Sequence, residues 1–439
     1  MAGLKILLLL LMLCSCVSPS CGLATTLFRR LARSAHRLSP RSGQHRQMQH
    51  QQQNTISRVG RSAVPPILIL LFGMGVSPAS ASPLNPQLVQ LRSPFFQGWL
   101  LRMVDHTQGV SVMFIVGSFS ASSCGEFTEH YVFSAANQRG KLLFHEEYFP
   151  PPASVRVTGD LPARRALLSS SAQHSPPPLN VTWAAAGLGS FTLEEGLFSA
   201  DFTLGATAIR LEGGQRSPWS RDDLLDGPEG WLGYTTLLPC HYFVHSVGSP
   251  CRYSLTVPRH GTVAESLRRG QRLEGRGYTH VEGNHGTFFP KGWCWAQAVS
   301  ADNDASLSLV LGEFDIGPAR PLSVVLFCRT RKHGTFVFRT TDLDRVFIKT
   351  LDCAAGRVQL VASSLLPGRP SVELLISAPP GSFGPRVHIP TAGGFSSDPG
   401  CRESYEATAL VRVVGDGGDV LEEVSLPLAC LEFGNAFLK

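Results

Sequence analysis

From residue 96 onward the chain is written in short runs in which apolar and polar residues alternate, separated by turns rich in Gly, Pro, Asp and Ser. A two-residue period sends successive side chains to opposite faces of a strand. It predicts strands over residues 96–104, 111–120, 130–135, 141–149, 198–203, 240–247, 252–257, 307–311, 322–329, 335–340, 345–349, 358–362, 372–376, 408–414 and 420–426. Helical periodicity is confined to residues 221–225 and 263–269. The pattern is that of an all-β chain, sandwich or barrel. Residues 415–418, Gly-Asp-Gly-Gly, read as a hairpin turn between two of these strands.

The first 82 residues are patterned differently. Residues 1–22 carry one lysine, an apolar run over 6–13 and a tail of small residues, the layout of a secretory signal peptide. Residues 23–62 hold eight arginines, many Ser and Gln and no acid, the composition of a transit peptide. A third apolar run, 64–75, ends in Val-Ser-Pro-Ala-Ser-Ala81, an A-x-A-like processing site, and is too short for a comfortable membrane span. Residues 1–82 are therefore a targeting leader. Three consecutive signals imply an alga whose plastid is entered through the secretory pathway, with a further step into or onto the thylakoid; the alternative is a secreted protein with a long pro-region.

Charge follows the same division. The formal net charge of +6 belongs to the leader, because the first acid of the whole chain is Asp105. The remainder is close to neutral, which removes any composition argument for nucleic acid binding. No P-loop, no G-x-G-x-x-G between strand and helix and no G-x-S-x-G elbow is present, so neither a nucleotide cofactor nor a serine hydrolase is indicated.

Residues 83–439 are long enough for two domains. The Pro-, Arg- and Ser-rich stretch 150–178 reads as an exposed insertion or disordered loop, and Asn180-Val-Thr182 matches a glycosylation acceptor. Eight cysteines follow the leader: Cys124, Cys240, Cys251, Cys294, Cys328, Cys353, Cys401 and Cys430. None forms a C-x-x-C pair; Cys240 and Cys251 could bridge adjacent strands in an oxidising compartment, and all eight could be small apolar residues in a reducing one.

Chemically able side chains are densest over residues 277–297, which hold Tyr278, His280, Glu282, Asn284, His285, Trp293, Trp295 and Gln297. Alternation puts Tyr278, His280 and Glu282 on one face of a strand, and Trp293, Trp295, Gln297 and Val299 on one face of the next. The opposite face there is Cys294, Ala296 and Ala298, small enough for close packing, so the Trp and Gln face is expected to look into a cavity or broad groove. Upstream, His241, Phe243 and His245 share a face. Two histidines with no third ligand do not make a metal site, and hydrogen bonding within the fold is the expected role.

The same stretch resembles the tocopherol cyclases and their bacterial relatives, in Glu282-Gly283-Asn284-His285-Gly286, Phe289-Pro290 and Trp293-Cys294-Trp295-Ala296-Gln297. Gly283 stands where that family carries lysine and His285 where it carries tryptophan. Ser93-Pro-Phe-Phe-Gln-Gly-Trp99 is similar to its opening strand, with Gln97 in place of an acid; residues 237–249 are similar to the strand before the central motif; Cys401-Arg402 and Glu432-Phe-Gly434 are weaker matches. The resemblance implies two consecutive lipocalin-like β-barrels, placed at 83–298 and 299–439. It also implies closure of a prenylated benzoquinol to a chromanol in tocopherol biosynthesis, without cofactor or metal, on a plastoglobule or thylakoid surface.

That reaction needs an acid for the prenyl double bond, an acceptor for the phenolic proton, aromatic faces for the cation and an apolar tunnel. Glu282 is the expected acid and His285, His280 or His241 the acceptor. Trp293 and Trp295 are expected to stabilise the cation, and Asn284 and Gln297 to bond the quinol oxygens. Trp99, His245 and Tyr278 complete the expected binding set. The plain alternatives are a Glu282 carboxylate paired with an arginine at a barrel rim and tryptophans that fill a core. Two other functions stay open: an acid-catalysed carotenoid or isoprenoid hydratase on the same fold, and a non-catalytic lipocalin-like lipid carrier.

Overall fold

The computed structural model describes residues 94–438, apart from 122–126, 160–179, 195, 220–226, 231, 233–237, 259–269, 315–319, 343, 365–367 and 396. The leader, Cys124 and both stretches with helical periodicity lie outside the described residues. Among those residues there is no α-helix, and none of their elements is long and apolar enough to cross a membrane as a helix.

Eleven strands form the first sheet: β1 (Phe95–Asp105), β2 (Val110–Ser120), β3 (Glu129–Gln138), β4 (Lys141–Tyr148), β5 (Val155–Gly159), β6 (Asn180–Ala185), β7 (Gly189–Glu194), β8 (Leu197–Leu204), β9 (Thr207–Gly214), β10 (Cys240–Val257) and β11 (Gln271–Gly286). The second holds β12 (Gly292–Val299), β13 (Ser306–Glu313), β14 (Leu322–Thr330), β15 (Gly334–Arg339), β16 (Arg345–Asp352), β17 (Arg357–Ser363), β18 (Ser371–Ser377), β22 (Cys401–Val414) and β23 (Val420–Asn435), with β19 (Phe383–Val387) paired to β22. A two-stranded ribbon, β20 (Pro390–Thr391) and β21 (Gly394–Phe395), stands apart.

Both sheets are antiparallel meanders whose first and last strands pair: β1 with β11, and β12 with β23. Their free edges are β4 and β5 in one and β15 and β16 in the other. One sheet forms a half-barrel and the other a nearly closed barrel, so the all-β, two-barrel expectation holds.

Each sheet has its own core. Trp183, Phe191, Phe202 and Leu211 fill the concave face of the first, and Leu309, Leu360, Leu374 and Phe433 that of the second. A third apolar layer lies between the sheets, built from Met113, Phe133, Tyr242, Trp293, Trp295 and Phe327 among others. Burial patterns follow from this arrangement. β8 and β18 alternate between buried and wetter positions, as strands with one covered face do, whereas β1 and β2 are buried almost throughout because both their faces are covered.

Several local expectations change. The chain crosses from one sheet to the other between Gly286 and Gly292, so the strand carrying Trp293, Trp295 and Gln297 opens the second sheet, ahead of the expected boundary at 298. The two strands expected at 240–247 and 252–257 are one strand with register shifts between Val244 and Ser249. Cys240 and Cys251 therefore lie along one strand and cannot bridge neighbours; all seven described cysteines are free. Residues 152–159, expected in a loose insertion, form a 3-10 turn and the edge strand β5. The Gly415–Gly418 hairpin is as expected, closed by Gly418 N–H on Gly415 O with Gly418 at φ 86°.

Candidate active site

Between the two sheets lies a cavity of about 170 Å³, walled by Phe96, Ile115, Tyr131, Trp293, Trp295 and Val325 and reached by four buried carboxyl groups, Glu229, Glu282, Glu403 and Glu432. Two rows of strands create it. Tyr242 and Val244 of β10 and His280, Glu282 and Asn284 of β11, all even-numbered, point between the sheets, while the odd-numbered residues among them point to the other face. On β12 the pattern reverses: Cys294, Ala296 and Ala298 fill the second core, and the tryptophans face the cavity. The expectation that small residues would pack and tryptophans would face open space describes this strand, although the space is between two sheets and not inside one barrel.

Glu282 is 2% exposed. Its Oε2 accepts from Tyr242 OH at 2.9 Å, His280 Nε2 at 2.8 Å and Trp295 Nε1 at 3.1 Å. These donors come from β10, from two positions down β11 and from the opposite sheet, so one carboxyl oxygen joins the sheets. Tyr242 OH also lies 3.1 Å from Ser308 Oγ; burial and the charge of Glu282 keep this phenol well above its ordinary pKa. No arginine pairs with Glu282 in any hydrogen bond or ion pair described above, and the carboxylate is held instead by neutral donors and an imidazole.

Other expected residues divide by strand parity. Asn284 lines the cavity beside Glu282. His285 sits on the far face of β11, stacked on Phe243 at 5.3 Å and on His241 at 5.2 Å. Burial, with His241 alongside, depresses its pKa well below 6.5. His241 faces the same way, and its Nδ1 donates to Glu229 Oε2 at 2.7 Å. Neither reaches Glu282, Glu403 or Glu432, although the Glu229 that holds His241 borders the cavity. His245, at the register shift of β10, is buried with both ring nitrogens unpartnered, and burial pushes it down to about 3. Trp99 borders the cavity, but its ring packs on Phe191 at 5.9 Å. Gln297 is fully buried with neither amide atom partnered, and Tyr278 is half-buried; neither lines the cavity.

Sequence reasoning missed the second carboxyl cluster. Glu403 on β22 and Glu432 on β23 are direct cross-strand partners. Trp293 Nε1 donates to Glu432 Oε1, and Tyr405 OH donates to Glu403 Oε2. Arg102, fully buried on β1, donates through Nη2 to Ser111 Oγ at 3.0 Å and to Leu428 O at 2.5 Å, and its charge acts on Glu403. A lone acid within a run of apolar residues, as at Glu432 in Leu-Glu-Phe-Gly, was the available signal. Among the described residues no group of three His, Cys, Asp or Glu side chains is arranged to hold a metal.

Gly434 fixes the placement of Trp293. It faces that residue across β12 and β23, and a Cβ added at 434 would stand 2.1 Å from the indole ring. The ring is buried and its Nε1–H is held on Glu432, so Gly434→Ala is expected to cost about 1–3 kcal/mol, as overpacked cores do. A matching fall in denaturation midpoint and a red-shifted tryptophan emission would report it; an unchanged midpoint would show that the ring yields freely.

No protein family and no curated protein matches the sequence. Solved structures do match. CghA superposes with a TM-score of 0.55 at 9% identity, covering 82% of this chain and 94% of that one. CghA with Sch210972 gives 0.49 at 10% identity over 77% and 88% of the two chains, and a protein described as an AttH (NE1406) from Nitrosomonas europaea gives 0.45 at 11% over 82% and 98%. At such identities the first of these shows a shared fold and nothing more; the other two superpose too loosely to add to it.

Proposed function

We propose that this protein is an acid–base enzyme that closes a prenylated benzoquinol to a chromanol, acting in tocopherol biosynthesis in a plastid. What carries the reading is the convergence of Tyr242, His280 and Trp295 on one oxygen of Glu282 at the wall of an aromatic cavity. A buried carboxyl group on which a phenol, an imidazole and an indole converge is an expensive arrangement unless it does chemistry. The aromatic walls suit both an apolar prenyl tail and a transient tertiary cation. Two departures from the resembled pattern, Gly283 and His285, fall on the face of β11 away from the cavity, where Glu282 and Asn284 face it; the third, Gln97, lines the cavity.

The reaction is an isomerisation. One proton adds to the prenyl double bond nearest the ring, the phenolic oxygen bonds to the resulting tertiary carbon, and the phenolic proton leaves, so atoms and charge balance with no co-reactant. Incubating the protein with phytylated benzoquinol and a reductant in D2O is expected to give a product isomeric with the quinol, with chromanol retention and one new carbon-bound deuteron. A product heavier by one water would favour a hydratase. Saturable quinol binding without any product would favour a lipid carrier and would sink the cyclase reading.

A further inference from the structure

We infer that Glu403 and Glu432 share a single proton and form the acid that protonates the substrate alkene, leaving Glu282 to receive the phenolic proton. The inference rests on the reading of the cavity as a cyclase site and assigns the two ends of its proton path to different carboxyl groups.

Glu282 Oε2 is already occupied as an acceptor by three donors, and a group so arranged is placed to take a proton and not to give one. The other two carboxyls are arranged in the opposite sense. Glu403 and Glu432 face each other across β22 and β23, both buried, both at the cavity, and in hydrogen-bond contact with one another. No N–H or O–H donates to Glu403 Oε1, so a bond between the two carboxyls requires a proton on one of them. Burial and the neighbouring Glu403 charge raise Glu432 well above the ordinary carboxylate range, and burial raises Glu403.

After the proton leaves, the pair carries two negative charges. The structure provides for that state: Trp293 N–H bonds Glu432, Tyr405 O–H bonds Glu403, and the Arg102 guanidinium lies close enough to favour the Glu403 charge. The remaining titratable groups acting on the pair are Glu282 from β11, Glu147 from β4, Tyr131 from β3, Cys294 from β12, Cys401 on β22 and Cys430 on β23. In the step itself, the π electrons of the alkene take the proton from the pair to form a C–H bond. The phenol oxygen then closes on the cation, and its proton passes to Glu282. Return of that proton to the pair through solvent restores the starting state.

The test combines infrared spectroscopy with turnover on the full protein. At neutral pH the wild type is expected to show the C=O stretch of a protonated carboxylic acid, lost in both Glu432→Gln and Glu403→Gln. Glu432→Gln should lower chromanol formation by about 100-fold or more, while quinol still quenches the cavity tryptophans. Glu432→Asp should keep the infrared band and lose rate through its shorter reach. A band that persists in both glutamine variants overturns the shared proton. Wild-type turnover in Glu432→Gln overturns the donor and leaves the cyclase reading standing. A wild type that shows the band but forms no isomer overturns the cyclase reading, and the donor role with it.

Discussion

Glu282→Gln is expected to lower chromanol formation by roughly 10²–10⁴-fold, the usual worth of a positioned proton-transfer group, with little change in quinol affinity. The substitution is isosteric, and an amide oxygen can still accept from Tyr242, His280 and Trp295, so the joint between the sheets is kept. What is lost is the ability to take up a proton. Hydrogen bonds to a charged group are worth about 1.5–3 kcal/mol and those to a neutral one about 1 kcal/mol, so a modest fall in stability should accompany the loss of rate. A rate that collapses with an unchanged KM and a slightly lowered unfolding midpoint fits this account. Equal rates in the two proteins would remove Glu282 from the chemistry, and loss of quinol binding would make it a binding group.

Acid should unfold the protein from the inside. Burial pushes His130 down to about 4 and His245 down to about 3, and it drives His285 in the same direction. For each, the unfolded chain binds a proton more readily than the folded one. Their stability contribution is therefore complete above about pH 6.5 and is lost as pH falls toward the folded value. A fall from 6.5 to about 4 corresponds to about 3 kcal/mol and one to about 3 to about 5 kcal/mol. The raised carboxyls Glu403 and Glu432 act in the opposite sense, since the folded state holds their proton more tightly. Burial also lowers His106 and His145 and raises the half-buried Glu146 and Asp344, so five imidazoles are set against one shared proton and two partly wetted carboxyls, and the imidazoles win. The unfolding midpoint should drop steadily from pH 6.5 to pH 4, and His245→Leu, which removes a ring with no hydrogen-bond partner, should shift that drop to lower pH. A midpoint that stays flat between pH 7 and 5 would show that these rings are not held neutral by burial.

Much of the architecture was legible because β-structure writes its period into the residues. Strands such as β8 and β18, with one face wetter than the other, alternate plainly. The pairing of small and aromatic faces on β12 was legible too, since Cys294, Ala296 and Ala298 cannot fill the same space as Trp293 and Trp295. The identity of the neighbour was not. Period two tells that a strand has two faces, not which sheet covers each, so the crossing between β11 and β12 was invisible. β6 and β7 escaped notice because they are short and joined by a tight turn over residues 186–188. β10 was divided in two because Gly248, Ser249 and Pro250 look like a break, where the strand absorbs them in register shifts. Within the site, parity correctly grouped His280 with Glu282. Glu403 was missed because the visible alternation of β22 began only at residue 408, and nothing local reveals that its partner is Glu432.

The pairing of β12 with β23 has a kinetic consequence. Trp293 and Glu432 are separated by 139 positions, and the contact between them closes a loop that contains every other strand of the second sheet. Loop-closure entropy must be met before such a contact returns any stabilisation, which makes long-range β pairing slow. Intermediates that already hold the local hairpins β13–β14 and β16–β17 would still lack one wall of the cavity and its carboxyl pair. Proton-transfer competence should thus arrive in the last and slowest phase of refolding, well behind the recovery of strand content.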